Sequence, residues 1–396
     1  MAIDVRTLLP DELAPAWQVF HRAFGAAVPT PEESAADLAL VDPARFYAGH
    51  ADDRLVATAG SFDLTMGVPG HVVPVAGVSW VSVLPTYRRR GVLTALMGRL
   101  LEDLHEAGTA VAALWATEGA IYGRYGYGPA AWNAAVVLPR GAAFRGAARP
   151  GEVRLVDPDA ALLAPTYDHL AAVTPGLPGR DQRWWDYRLA DVPSSRHGSS
   201  ELQCVVADGG YALYAVEDRS DDGVPAGVVH VREVLAVDET SRRALWRHLL
   251  DLDLSAEVRT RALAVDDPLL LTHLAEPRRA RASLRDGLWV RVVDLPEALR
   301  SRRYACEVDV VLEVDDPRAP WNTGRWRVTG DRSGAACART RAPADLVLGP
   351  EDLGATYLGG TPLRSRDVEE RSPGALDVAS TAFGPLGRAP WCPLVF

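Results

Sequence analysis

The pattern of apolar and polar positions is clearest between Trp80 and Pro129. Val81-Ser82-Val83 is a short β-prone run that stops at Pro85. Leu93, Leu96, Leu100 and Leu104 then recur at helical spacing, which predicts an amphipathic helix ending near Ala107-Gly108. The continuous apolar run Val111-Ala112-Ala113-Leu114-Trp115 predicts a buried strand. Upstream, Ile3 to Arg6 reads as a strand and Asp11 to Phe24 as a helix opened by Pro10-Asp11. Phe46 to His50 and Arg54 to Thr65 read as strands, and Val72 to Val78 leads into the central stretch. Trp132 to Leu138 is expected to close this domain, with Gly141 to Gly151, rich in Gly, Ala, Arg and Pro, as a linker.

The same order then recurs. Val231 to Val237 and a helix through Ala244, Leu245, Leu249 and Leu250 match Val83-Leu84 and its helix when the chain is shifted by about 150 residues. Residues 295–396 change character. Glu307 to Val314, Arg325 to Thr329, Ala335 to Thr340 and Ala344 to Leu348 alternate as strands do, and a helix follows from Glu351 to Leu358. The expected architecture is α+β, with domains at 1–145, 150–294 and 295–396.

Chemistry concentrates in the first repeat. Arg88-Arg89-Arg90-Gly91 stands where the helix begins. First-turn N–H groups lack partners there, the helix dipole favours an anion, and glycine lets the backbone approach a phosphate. After the second strand, Thr117-Glu118-Gly119 leads into Ile121-Tyr122-Gly123-Arg124-Tyr125-Gly126-Tyr127-Gly128-Pro129. An arginine run before a helix is often only a solvated cap, and a Tyr/Gly cluster is usually only a turn. The two together, with one strand between, are far more specific. In the second repeat Glu239-Thr240-Ser241-Arg242 takes the place of the arginine-glycine turn. Acid and hydroxyl side chains cap a helix but repel a pyrophosphate, so this copy reads as degenerate.

Arg88, Gly91 and Leu93 resemble the Arg/Gln-x-x-Gly-x-Gly/Ala motif of the GNAT acetyltransferases, with a larger last residue than usual, and Tyr122 with Tyr125-Gly126-Tyr127 resembles their second signature. A tandem GNAT pair with a degenerate second copy, a sterol-carrier-like domain and a terminal phenylalanine resembles the Eis family of N-acetyltransferases. Gly210-Tyr211-Ala212-Leu213-Tyr214 and Asp286-Gly287-Leu288-Trp289 also fit that family. The resemblance implies acetyl-CoA as co-substrate and a small amine as acceptor, an aminoglycoside, polyamine or lysine-like amine, in a homo-hexamer. The strand backbone at Val81 and Val83 can pair with the pantetheine amides. Arg88, Arg89, Gly91 and Val92 would hold the pyrophosphate, and by resemblance Thr117 lies along the coenzyme. Tyr122 would be the general acid, although Tyr125 and Tyr127 compete for the role from the residues alone. The family places the free α-carboxylate of its last residue, here Phe396, as general base. Phe24, Trp80 and Trp185 match aromatic positions flanking its acceptor pocket, and each suits a core equally well. Ala26 and Val395 are neutral where some members place acids, which favours an altered acceptor range.

Composition narrows the alternatives. The net charge of −10 argues against nucleic acid as a partner. All 42 basic residues are arginine, which excludes a lysine nucleophile. Cys204, Cys306, Cys337 and Cys392 lie far apart in no metal-ligand spacing and suit a reduced, cytoplasmic protein. Charged residues among the first twenty rule out a signal peptide or membrane span there. A non-catalytic acyl-CoA sensor, or a lipid or ligand carrier, is the competing reading.

Overall fold

The computed structural model describes residues 3–146 and 151–396. Of the linker expected over Gly141 to Gly151, residues 147–150 fall outside the described ones. The chain forms two compact units, both discontinuous: Met1–Ala131 with Leu288–Gly387 and Val395–Phe396, and Trp132–Gly287 with Arg388–Leu394.

The first unit begins β1 (Ile3–Thr7), α1 (Leu13–Ala23), α2 (Pro31–Leu38), β2 (Phe46–Ala51), β3 (Arg54–Val68) and β4 (His71–Val83). It continues with α3 (Val92–Glu106), β5 (Val111–Trp115), α4 (Gly119–Tyr122) and β6 (Gly128–Pro129). The second unit holds β7 (Trp132–Pro139), β8 (Arg154–Val156), α5 (Ala160–Val173), α6 (Gln182–Leu189), β9 (Gln203–Ala207) and β10 (Gly210–Glu217). A small hairpin, β11 (Ser220–Asp221) and β12 (Val224–Pro225), precedes β13 (Gly227–Ala236), α7 (Glu239–Asp251), β14 (Ser255–Ala264) and β15 (Arg281–Asp286). The chain then returns to the first unit as β16 (Leu288–Val292), α8 (Leu295–Arg300), β17 (Val308–Val314), β18 (Gly324–Gly330), β19 (Ala335–Arg339) and β20 (Leu346–Leu348). It ends with α9 (Pro350–Thr356), β21 (Glu369–Glu370) and α10 (Ala375–Ala382).

The main sheet of the first unit has the order β1-β2-β3-β4-β5-β16-β6. Helix α3 covers it with Val92, Leu96, Met97, Leu100, Leu101 and Leu104, packed with Val56, Ala57, Val78 and Leu114 in one core. Each such leucine contributes about 1.5–3 kcal/mol by leaving water, which is why the apolar period alone located this helix. A second sheet, β19-β18-β17-β20-β21, belongs to the C-terminal α+β part. There the fully buried Arg302 donates to the carbonyls of Tyr357 at 2.7 Å and Phe383 at 3.0 Å.

The second unit's sheet runs β15-β7-β14-β13-β10-β9-β8. Strand β13 is parallel to β14, with α7 between them in sequence, so it repeats the β4-α3-β5 arrangement. Trp132 to Leu138 does not close the first sheet: β7 pairs with β14 and β15, and β16 takes the vacant position beside β5. Local alternation makes both segments strands, but the partner is a long-range choice that period two leaves open. No described helix is long and apolar enough to cross a membrane.

Candidate active site

A split in the first sheet opens the site. Parallel β4 and β5 pair only at Ala76–Ala112 and Gly77–Ala113. Beyond Gly77 they part. Strand β4 bulges at Trp80, whose φ is 54°, and its register with β3 slips between Thr58 and Gly60. The edge of β4 facing β5 therefore has no ladder partner at Val81 or Val83, although the Val83 carbonyl already accepts from Arg88 Nε at 3.2 Å.

The turn after β4 lets α3 begin without a cap. Gly91 is the N-cap residue at φ 85°, no side chain among the described residues caps the helix, and the nearest atom to a Cβ built on it is 4.0 Å away. Arg89 is also left-handed, at φ 60°. Arg88 departs from its expected role: its guanidinium braces the turn, bonding Val83 as above and the Ala23 carbonyl at 2.8 Å. Arg90 stacks over Tyr87 at 5.6 Å. The first-turn residues of α3 and Arg89 line the same cleft.

Val81, Val83, Arg88, Arg89, Gly91, Val92, Thr117, Tyr122 and Phe24 all line one cleft of about 630 Å³. Phe24 stands at its rim, 48% exposed and packed against Phe20 with ring centroids 5.0 Å apart. Of the other expected site residues, Trp80, Trp185 and Phe396 are not among those lining the cleft. Trp80 is buried under α1 against Trp17, Phe20 and Phe46, at 4.8, 5.7 and 5.2 Å, and does not line the cleft. Trp185 lies in the core of the second unit, where the Arg180 guanidinium sits 5.0 Å from its ring and 3.8 Å from that of Tyr167. Arg180 is held there by a bidentate pair with buried Glu233, at 3.0 and 2.6 Å. Both tryptophans are core, which an isolated aromatic position in a sequence does not reveal.

The tyrosines of the turn separate by environment. Tyr122 ends α4 and lines the cleft, and its hydroxyl makes no hydrogen bond to a described residue. Burial, with a smaller contribution from Glu118, pushes its phenol up to about 12. The Tyr125 hydroxyl is shared with Thr94 Oγ1 at 3.3 Å, and Tyr127 is fully buried away from the cleft. Glu118 was not singled out from the sequence. It brings a carboxylate to the cleft wall, and its place as N-cap of α4 was the available signal.

The C-terminus divides between the units. Val395 and Phe396 belong to the first, where the Phe396 ring packs 3.1 Å from a Cβ built on Gly77, the last residue before β4 and β5 part. Residues 388–394 belong to the second. Trp391 bonds the carbonyls of Pro175 at 2.9 Å and Ala262 at 3.0 Å, and the Cys392 carbonyl accepts from Asn133 at 3.2 Å.

The corresponding helix start in the second unit is capped. Asp238 caps α7 by accepting from Ser241 N at 2.8 Å. Buried Arg242 pairs with Asp267 at 2.7 Å and donates to the Ala236 carbonyl at 3.0 Å. Trp391 lines the groove beside them.

Known proteins match this arrangement. A model described as an acetyltransferase (GNAT) domain matches residues 4–130, a second of the same description matches 176–292, and a sterol carrier protein domain matches 295–393. An uncharacterized N-acetyltransferase of Streptomyces avermitilis is 41% identical over 99% of both chains. N-acetyltransferase Eis of Mycobacterium bovis is 39% identical over 77% of this chain and 76% of its own. The chain belongs to the Eis family of GNAT N-acetyltransferases. The crystal structure of Eis1 from Mycobacterium abscessus superposes with a TM-score of 0.86 at 31% identity, covering 99% of this chain and 100% of that one. The family's GNAT fold implies acetyl-CoA as co-substrate, and the uncapped start of α3 beside an unpaired strand edge fits that molecule.

Proposed function

We propose that this enzyme acetylates a primary amine of a small acceptor by direct attack in a ternary complex, with Tyr122 as general acid and the Phe396 carboxylate as general base. Bound acetyl-CoA supplies the acyl group as an activated thioester. The reading rests on one observation: a single cleft collects the uncapped N-terminus of α3, the open edge of β4 and a phenol without a hydrogen-bond partner among the described residues. The first-turn N–H groups and Arg89 hold the pyrophosphate, and the edge at Val81 orients the pantetheine arm. Tyr122 Oη, protonated throughout the neutral range, gives its proton to the departing sulfur. A terminal carboxylate is ionised at neutral pH, and that of Phe396 takes the amine proton directly or through a water.

No cysteine lines the cleft, and the chain has no lysine, so neither nucleophile is at hand for an acyl-enzyme. One wall carboxylate, Glu118, and the exposed Phe24 ring suit an acceptor that joins a cationic amine to an apolar part. Aminoglycosides, polyamines and lysine-like amines are the classes to compare, in a chain that by family likeness assembles as a homo-hexamer. Acetyl-CoA turnover across such a panel, in protein whose mass is read by light scattering, is the test. Intersecting initial-velocity lines with at least one amine are expected. Saturable acetyl-CoA binding with no turnover on any amine would favour the sensor reading instead.

A further inference from the structure

The glycines of the tyrosine turn have a second use. Only Gly126, at φ 79°, needs glycine for its backbone. Gly123, at φ −55°, has a conformation open to any residue. Yet a Cβ on Gly123 would stand 2.6 Å from Glu351 Oε2, and one on Gly128 would stand 2.0 Å from the Glu351 carbonyl and 2.4 Å from Ala355 N. At Gly126 it would meet Arg291 Nη1 at 2.6 Å and Pro350 Cβ at 2.9 Å. From the other side, a Cβ on Gly354 would lie 2.1 Å from the Val290 carbonyl and 3.0 Å from Gly128 N. Helix α9 of the sterol-carrier-like domain therefore lies directly on the turn that carries Tyr122, backbone against backbone.

This contact is itself anchored. Arg366 ties down the start of α9 by bonding Glu351 at 3.1 Å and Asp352 at 2.8 Å. Fully buried Arg291, against Gly126, is fixed by both oxygens of Asp316 at 2.8 and 2.6 Å. Within the turn, Gly126 N bonds the Gly123 carbonyl at 2.9 Å and Tyr127 N the Tyr122 carbonyl at 3.2 Å, so a shift at Gly123 or Gly126 is passed to Tyr122.

We propose that the sterol-carrier-like domain is a positioning part of the acetyltransferase: α9, held by Arg366, clamps the turn and fixes where the Tyr122 phenol stands. The proposal rests on the reading of Tyr122 as the acid. Arg366 and Gly354 are positioning residues that touch no substrate.

The test is a double-mutant cycle in the full chain, with kcat and the KM for acetyl-CoA measured separately. Arg366→Ala loosens the clamp from a half-buried position, and Gly354→Ala wedges α9 off the turn while favouring helix. Each is expected to lower kcat about 10- to 100-fold, the scale set by misplacing a catalytic group, with KM for acetyl-CoA unchanged. In a Tyr122→Phe background the same changes are expected to cost nothing further, because the group they position is gone. Should Gly354→Ala fail to fold, Arg366→Ala carries the cycle alone. If Tyr122→Phe alone leaves kcat unchanged, the assignment of the acid falls and this proposal with it. If Tyr122→Phe is impaired but the α9 variants keep full kcat, or their losses simply add to it, the clamp is overturned and the acid stands.

Discussion

Tyr122 shows how burial selects one phenol among neighbours. Tyr125 spends its hydroxyl on Thr94 and Tyr127 is sealed in the core, so of these three it is Tyr122 that combines access to the cleft with a hydroxyl unbonded among the described residues. Tyr122→Phe is expected to lower kcat by about 10²-fold or more with little change in KM for acetyl-CoA, because the proton matters only in the transition state. Steady-state kinetics where chemistry limits turnover checks this, and equal kcat values would remove the residue from the mechanism. A pH signature accompanies it. Burial holds the folded phenol near 12 against an ordinary 10, so the neutral form is favoured in the fold. Its contribution to stability is whole below about pH 10 and is lost as pH rises towards 12, where the unfolded chain sheds the proton first. Thermal unfolding of Tyr122→Phe is therefore expected to fall less steeply than the parent above pH 10. The sequence marked Tyr122 because the spacing of its turn is local. It marked Trp80 and Trp185 too, as pocket or core alike, and the structure buries both away from the cleft, since an aromatic side chain reads the same whether it lines a pocket or fills a core.

Helices α3 and α7 follow equivalent strands and differ at their first turn, and on the proposed function that difference decides where coenzyme binds. Gly91 leaves the N–H groups of α3 open, while Asp238, Ser241 and Arg242 occupy the start of α7. Gly91→Glu sets an anion in the phosphate site and a side chain at φ 85°, a strain of about 1–2 kcal/mol that the open space there allows the fold to absorb. Calorimetry is expected to find acetyl-CoA binding abolished in a folded protein. Arg242→Ala is expected to do the reverse. It strands buried Asp267, at a cost of about 3–5 kcal/mol, yet leaves one acetyl-CoA site per folded chain. Two equal sites in the parent would contradict this assignment. The repeat and its disabled turn were legible because both are written in adjacent residues. The exchange of β7 and β16 between sheets was not, nor was Asp267 as the partner of Arg242, because each depends on which distant segment comes to lie alongside.

Across the whole molecule, the last residues are the least ordinary part. Residues 388–394 are fastened to the second unit through Trp391 and Cys392, and Phe396 sits in the first, its ring at Gly77 where the sheet begins to split. The apolar run Trp391-Cys392-Pro393-Leu394-Val395-Phe396 announced a docked tail in the sequence, but the choice of Gly77 as its resting place needed the fold. A short extension after Phe396 keeps every side chain and moves only the carboxylate. The most direct measurement is the ratio of kcat between the chain ending at Phe396 and the same chain so extended, with mass spectrometry verifying the terminus. The account predicts that the extended protein folds and binds acetyl-CoA normally but turns over about 10²–10⁴-fold more slowly. Equal kcat in the two proteins would contradict it and assign the base to another group.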